Sequence, residues 1–155
     1  MALLAACSAP LASQSAASRV HFEGLHDVPE SALRGAVRDD GHDDLWLLAA
    51  LYDQGYIQAK VASSKKVADD GAMDVTYRIE EGPRFRVRAI AVHERGSPNA
   101  VASLSRTKAG DWFSRRLVIE DIAELRTRFG QREIVPAIAV DANARAVDLD
   151  VVIGS

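Results

Sequence analysis

One pattern occurs twice along this chain and limits its fold more than any other feature. Tyr52-Asp53-Gln54-Gly55-Tyr56-Ile57-Gln58-Ala59-Lys60-Val61 leads to an alternating stretch, Met73 to Glu80, and to the turn Glu81-Gly82-Pro83. A degraded copy runs from Phe129 through Ile134 and Ile138 to a second alternating stretch, Val147 to Ile153. Leu45, Leu48, Tyr52, Ile57 and Val61 map without a gap onto Ile122, Leu125, Phe129, Ile134 and Ile138, 77 positions further on. Tandem units of this size predict two small cores instead of one large one. Such a paired array suits binding or scaffolding better than catalysis.

Each half reads as strand, helix, helix, strand, strand. Arg19 to Gly24 alternates Val20 and Phe22 against His21 and Glu23, a strand with one wet face and His21 on the solvent side. Pro29 and Glu30 open a helix to about Arg38. Asp43 or Asp44 caps a stronger one, with Leu45, Leu48, Ala49 and Tyr52 on one apolar face, widened by Trp46, Leu47 and Leu51. Gly55 ends it. Ile57, Ala59 and Val61 alternate as the second strand, and Asp69-Asp70-Gly71 turns into the third, with Met73, Val75, Tyr77 and Ile79 inward. In the second half, Val87 to Val92 is a strand and Ser97-Pro98 opens a weak helix to about Ser105. Ser114 caps the main helix, whose inner face is Val118, Ile122, Leu125 and Phe129. Ile138 and Val140 begin a strand that returns through Val147, Leu149, Val151 and Ile153. The fold class is α+β: two tandem β-α-α-β-β modules. The modules span 19–83 and 84–155, joined near a hinge at Gly82-Pro83, after a leader and tether over 1–18.

In that leader, Leu4-Ala5-Ala6-Cys7 matches a bacterial lipobox, which makes Cys7 the candidate acylation site; Ser15-Ala16-Ala17 would suit an ordinary signal peptidase. Both place the mature protein outside the cytoplasm. Cys7 is the single cysteine, so no intrachain disulfide or thiolate metal site is expected. No stretch is long enough for a transmembrane helix.

Charge narrows the partners. The net charge of −3 argues against nucleic acid. Residues 1–83 hold 7 Lys/Arg and 13 Asp/Glu, net −6, whereas 84–155 hold 12 and 9, net +3. Two differently decorated surfaces explain this; so does a basic second module facing an acidic neighbour. The four histidines are scattered, with no metal-ligand spacing. Asp39-Asp40, Asp43-Asp44 and Asp69-Asp70 fall at turns or caps. Arg115, Arg116, Arg126, Arg128 and Arg132 interleave with Glu120, Asp121, Glu124 and Glu133 as a solvated helix face. Trp46 and Trp112 read as core or junction residues. No nucleophile stands beside a base, so no enzyme, catalytic residue, cofactor or metal is expected.

Leu51-Tyr52, Gly55-Tyr56, Ala59-Lys60-Val61 and Val75-Thr76-Tyr77-Arg78-Ile79-Glu80-Glu81-Gly82-Pro83 resemble the POTRA (polypeptide-transport-associated) domain of BamA- and TamA-like assembly factors and two-partner secretion transporters. Phe85, Val87, Ile90 and Val92 resemble the next domain's first strand, and Gly110, Phe113, Ser114 and Leu117 its entry to the second helix. The second module departs from the pattern: Arg132-Glu133 stands where Gly-Tyr is usual. The resemblance implies a periplasmic, outer-membrane-associated scaffold. Its expected partners are unfolded outer-membrane or secreted polypeptides, other envelope assembly proteins or a membrane barrel. The resemblance also implies that each module is a three-stranded mixed sheet with two helices on one face, the third strand central and the second an open edge, which offers free backbone groups to an extended peptide. The candidate edges are Ile57, Gln58, Ala59, Lys60 and Val61, and Ile138, Ala139 and Val140. Pro136 removes a donor, so the second edge is expected to be the poorer template. Membrane attachment would come from a lipid on Cys7 or a C-terminal barrel. The alternatives are a partner-binding module of a division or other envelope complex, and a secreted enzyme subunit.

Overall fold

The computed structural model describes residues 18–154. Cys7, the signal-peptidase motif and nearly all of the leader lie outside them. In the first half β1 (Ser18–Glu23) is followed by α1 (Glu30–Arg34), α2 (Asp43–Asp53), β2 (Lys60–Val67) and β3 (Met73–Glu80). The second half contains β4 (Arg86–Glu94), α3 (Arg115–Phe129), β5 (Ile134–Asp141) and β6 (Ala146–Ile153). The strands form two separate sheets, ordered β1-β3-β2 and β4-β6-β5. In each, the last strand is central, parallel to the first and antiparallel to the second.

Two cores follow from the alternation. Val75, Tyr77 and Ile79 on β3 pack with Leu33, Leu47, Leu51 and Tyr56; Val147, Leu149, Val151 and Ile153 on β6 pack with Phe85, Val92, Val118, Ile122 and Leu125. Val20, Phe22 and Met73 edge the first, and Phe22 stacks on Tyr77 at 5.7 Å between ring centres. His21 is exposed, as the alternation predicts.

Several expectations need correction. α1 stops at Arg34, short of Arg38. The buried apolar residues of α2 are Leu47 and Leu51, while Leu45 is 62% exposed. With apolar residues all round this helix, its periodicity does not define one inner face. Asp43 is the first residue of α2, not its cap: one oxygen accepts the Arg38 and Asp39 amides and the other the Tyr77 hydroxyl at 2.7 Å. Ser114 does cap α3, accepting the Leu117 amide. The 77-residue register also fails across the corner. Val61 faces Ile79 and Ile134 faces Ile153, so Val61, not Ile57, is the counterpart of Ile134.

The largest difference is the missing first helix of the second module. Residues 95–114 form a non-helical strap along the outer edge of β4, touching it through the antiparallel bridges His93 to Ala100 and Arg86 to Trp112. Asp121 explains why. It is 1% exposed, and its carboxylate accepts the backbone amides of Ser105, Arg106 and Thr107 at 3.1, 2.9 and 2.9 Å. Ser, Asn and Val in this segment are weak helix formers, and the buried carboxylate offers its amides a better acceptor. Asp121 is thus no member of a solvated charge ladder, although Arg116 and Glu120 do pair at i,i+4.

Candidate functional site: the open sheet edges

An edge strand exposes backbone groups only at alternate residues, and the hairpins tell which ones. In the second sheet Gly154 donates to the Glu133 carbonyl at 2.8 Å, just beyond the first β5–β6 pair. In an antiparallel ladder this makes Val135, Ala137, Ala139 and Asp141 the residues bonded to β6. Ile134, Pro136, Ile138 and Val140 therefore turn their backbones outward. Pro136 fits this phase, since it has no N–H to give β6. In the first sheet Ala68 donates to Ala72 at 2.8 Å, so Val61, Ser63, Lys65 and Val67 face outward on β2.

The sequence-derived site residues divide accordingly. Ile138 and Val140 carry outward backbone groups, as does Val61; Ala139 and Lys60 bond to their own sheets. Ile57, Gln58 and Ala59 lie outside β2 altogether. The Ala59 amide closes a turn onto the Tyr56 carbonyl at 3.1 Å, and the Ile57 side chain packs against the second core. Apolar alternation alone does not separate this corner from a strand.

The two edges differ in what lies beside them. Side chains of the outward residues of β5 point to the α3 side. There Pro136 and Ile138 join Val118, Ile119, Ile122 and Phe113 around a groove of about 290 Å³, with Arg115 and Arg126 at its rim. Ile119 is 52%, Ile138 47% and Val140 49% exposed, a contiguous apolar strip beside unpaired backbone. β2 has Val61, Ser63, Lys65 and Val67 in the matching places, and Ser63 donates to Asp44 at 3.1 Å. The edge marked down for its proline is thus the one with an apolar groove beside it, a feature visible only once α3 and β5 are side by side. The outer edge of β4 is closed by the strap: Val87 and Asp111, Gly110 and Val87, Val101 and Val92, and Phe113 and Phe85 are joined by backbone hydrogen bonds of 2.7–2.9 Å. The outer edge of β1 has no backbone partner among the described residues.

Buried carboxylates hold the loops around these sheets. Glu81 accepts the amides of His26, Asp27 and Val28 at 2.8, 3.0 and 3.1 Å. Burial pushes its carboxyl up, but the three amides outweigh that and hold it below the ordinary range. Asp43 and Asp121 behave alike: burial raises each, and their hydrogen-bond donors bring the net shift downward. Their partners are mostly backbone amides, joined by the hydroxyls of Tyr77 on Asp43 and Ser105 on Asp121, so each carboxylate anchors the loop it faces. The departure Arg132-Glu133 is accommodated by Gly130, at φ 64°, and by Arg132, whose guanidinium donates to the Gly154 carbonyl and to Glu94.

The modules meet end to end. Asp53, the last residue of α2, accepts the Arg116 amide at 2.8 Å in the first turn of α3 and pairs with Arg115. Arg84 donates to the Gln54 carbonyl and Phe85 to that of Gly55.

Two solved structures share this arrangement. BamA POTRA domains 3–5 of Haemophilus influenzae superpose with a TM-score of 0.65 over 88% of this chain at 15% identity. BamA of Haemophilus ducreyi lacking POTRA domains 1–3 does so with a TM-score of 0.61 over 87% at 19% identity. The modules have the POTRA fold. The chain spans 64% of the first of those structures and 29% of the second, less than two thirds of either. No family model and no curated protein sequence matches it. Among the described residues the two modules hold no cluster of metal-ligating side chains and no helix long and apolar enough to cross a membrane.

Proposed function

We propose that this chain is a non-catalytic periplasmic scaffold associated with the outer membrane. Its two modules, joined near Glu81 to Arg84, receive extended segments of unfolded outer-membrane or secreted polypeptides, or of partner assembly proteins, by strand addition. β5 is the principal acceptor edge. The observation that carries this reading is the coincidence, on one strand, of outward backbone groups at Ile134, Ile138 and Val140 with the apolar groove against α3. Backbone bonds give affinity with little sequence demand, and the groove takes alternate side chains of the guest. β2, whose outward residues Val61, Ser63, Lys65 and Val67 have no such groove beside them, is the weaker edge. The POTRA fold, shared with BamA, supports the setting. Acylation of Cys7 belongs to the same reading, and mass spectrometry of the protein from bacterial membranes would detect the added lipid.

The test is a backbone NMR titration with an unfolded outer-membrane peptide. Shifts should concentrate at Ile134, Ile138, Val140 and along the groove face of α3. Shifts confined to β2, or spread evenly over both modules, would refute β5 as the acceptor.

A further inference from the structure

A second opening lies at the junction of the modules, away from the β5 groove. This cleft of about 960 Å³ is lined by Asp27 and Tyr56 from the first module, Arg84 from the connection, and Arg86, Trp112 and Arg145 from the second. Trp112 is 39% exposed and flanked by two guanidiniums, the carbons of Arg86 and Arg84 standing 3.7 and 4.4 Å from its ring centre. Each guanidinium is also tied to a backbone carbonyl: Arg84 Nε donates to Gln54, and Arg86 Nη1 to Gly110, both at 2.7 Å. Stacking and one hydrogen bond apiece fix the planes and leave the remaining N–H groups for a ligand.

These arginines also lack counter-ions. Many other arginines pair with carboxylates, as Arg88 does with Asp141 and Asp148, Arg95 with Glu133 and Arg106 with Glu124, although among the described residues Arg38, Arg126 and Arg128 do not. Among the described residues Arg84, Arg86 and Arg145 have no such partner. Arg145 adds a third observation. It holds a left-handed backbone, φ 50°, where Gly or Asn would be cheaper, while its carbonyl accepts the Arg86 amide at 3.0 Å. Strain of this kind gathers at sites of function.

We propose that this cleft binds an acidic stretch of a partner protein through its carboxylates. Guanidinium forks match carboxylate geometry two bonds at a time. Asp27, also in the lining, gives a peptide's own N–H groups an acceptor that a bare anion cannot use. Stacking of a base is blocked because guanidiniums already flank the cleft's tryptophan. The proposal stands apart from strand addition at β5 and does not depend on it.

Trp112 is the natural reporter. A full chain carrying Trp46→Phe is titrated with a capped peptide of alternating glutamate and alanine. Its glutamine counterpart, inorganic phosphate and phosphatidylglycerol vesicles are run in parallel. The indole N–H resonance of Trp112 in the unaltered chain repeats the measurement independently. Saturable, salt-sensitive binding of the glutamate peptide alone is expected. Arg145→Gly, which suits the local backbone, and Arg86→Gln should each weaken it about tenfold or more. Equal binding of the glutamine peptide, no saturation, or affinity unchanged in Arg145→Gly would overturn the proposal. So would tighter binding of phosphate or vesicles with the same sensitivity to these substitutions.

Discussion

Removing the Asp121 carboxylate should release the strap from β4. In Asp121→Ala three amides lose their acceptor. Thr107 is buried, so its N–H stays without a partner, at about 1–3 kcal/mol. Ser105 and Arg106 are exposed and regain water, so each loses only a net bond of about 0.5–1.5 kcal/mol. Together these give about 2–6 kcal/mol, and even at about 3 kcal/mol the opening equilibrium moves by a factor of about 150. Asp121→Asn keeps one oxygen, enough for the Ser105 and Arg106 amides that share Oδ1, and loses only the Thr107 bond. It should cost about half as much. Amide hydrogen exchange reads this directly at Val87, Val101, Gly110 and Phe113, whose hydrogen bonds join the strap to β4 and the segment before it. Exchange there should accelerate about a hundredfold in the alanine variant, with Val75 and Tyr77 of the first module unchanged. The freed β4 edge should then respond to an unfolded peptide that leaves it untouched in the parent chain. Unaltered protection of the strap, or an asparagine variant as damaging as alanine, would refute the idea that this carboxylate replaces the missing helix.

Ile138→Glu should weaken peptide binding about tenfold or more without altering circular dichroism, because it puts a charge in the apolar groove while leaving the β5–β6 ladder intact; isothermal titration checks this. Gly55→Val should destabilise the first module by about 1–3 kcal/mol, since φ is +94° and the new Cβ would stand 3.1 Å from the Phe113 carbonyl oxygen; urea unfolding followed at Trp46 measures it. The carboxyls of Asp43, Glu81 and Asp121 titrate below their ordinary 3.8, 4.5 and 3.8 in the fold, so their stabilisation is complete above about pH 5 and lost as pH falls through the folded values. The first module holds two of the three. In chains with one tryptophan at a time, its unfolding midpoint should therefore drop more steeply on acidification than that of the second, and Asp43→Asn should flatten the difference.

How far the sequence could be read depends on where strict alternation held. β3 and β6 are central, buried on one face and exposed on the other, and their inward residues were legible one by one. So were the inner face of α3 and its Ser114 cap, because a mixed polar and apolar helix leaves one solution. α2 is apolar on too many sides, so its inner residues are chosen by the sheet beneath it. The 95–114 strap was illegible for a different reason. Its conformation is set by a carboxylate that arrives from α3, and no local propensity announces such a bond. The candidate edges were half visible. Lysines and a proline mark edge strands, but the phase of outward backbone groups comes from hairpin closure, and the groove comes from the placement of Ile119 opposite Ile138.

Pro136 has one more implication for a visitor to β5. Main-chain pairing by itself is degenerate, and a stranger can slide by two residues and form the same bonds. One missing rung ends that freedom. A carbonyl placed opposite the proline must stay wet, while every alternative alignment shifts the vacancy to another place on the stranger. For a guest strand added as proposed, the backbone itself would thereby supply a reading frame.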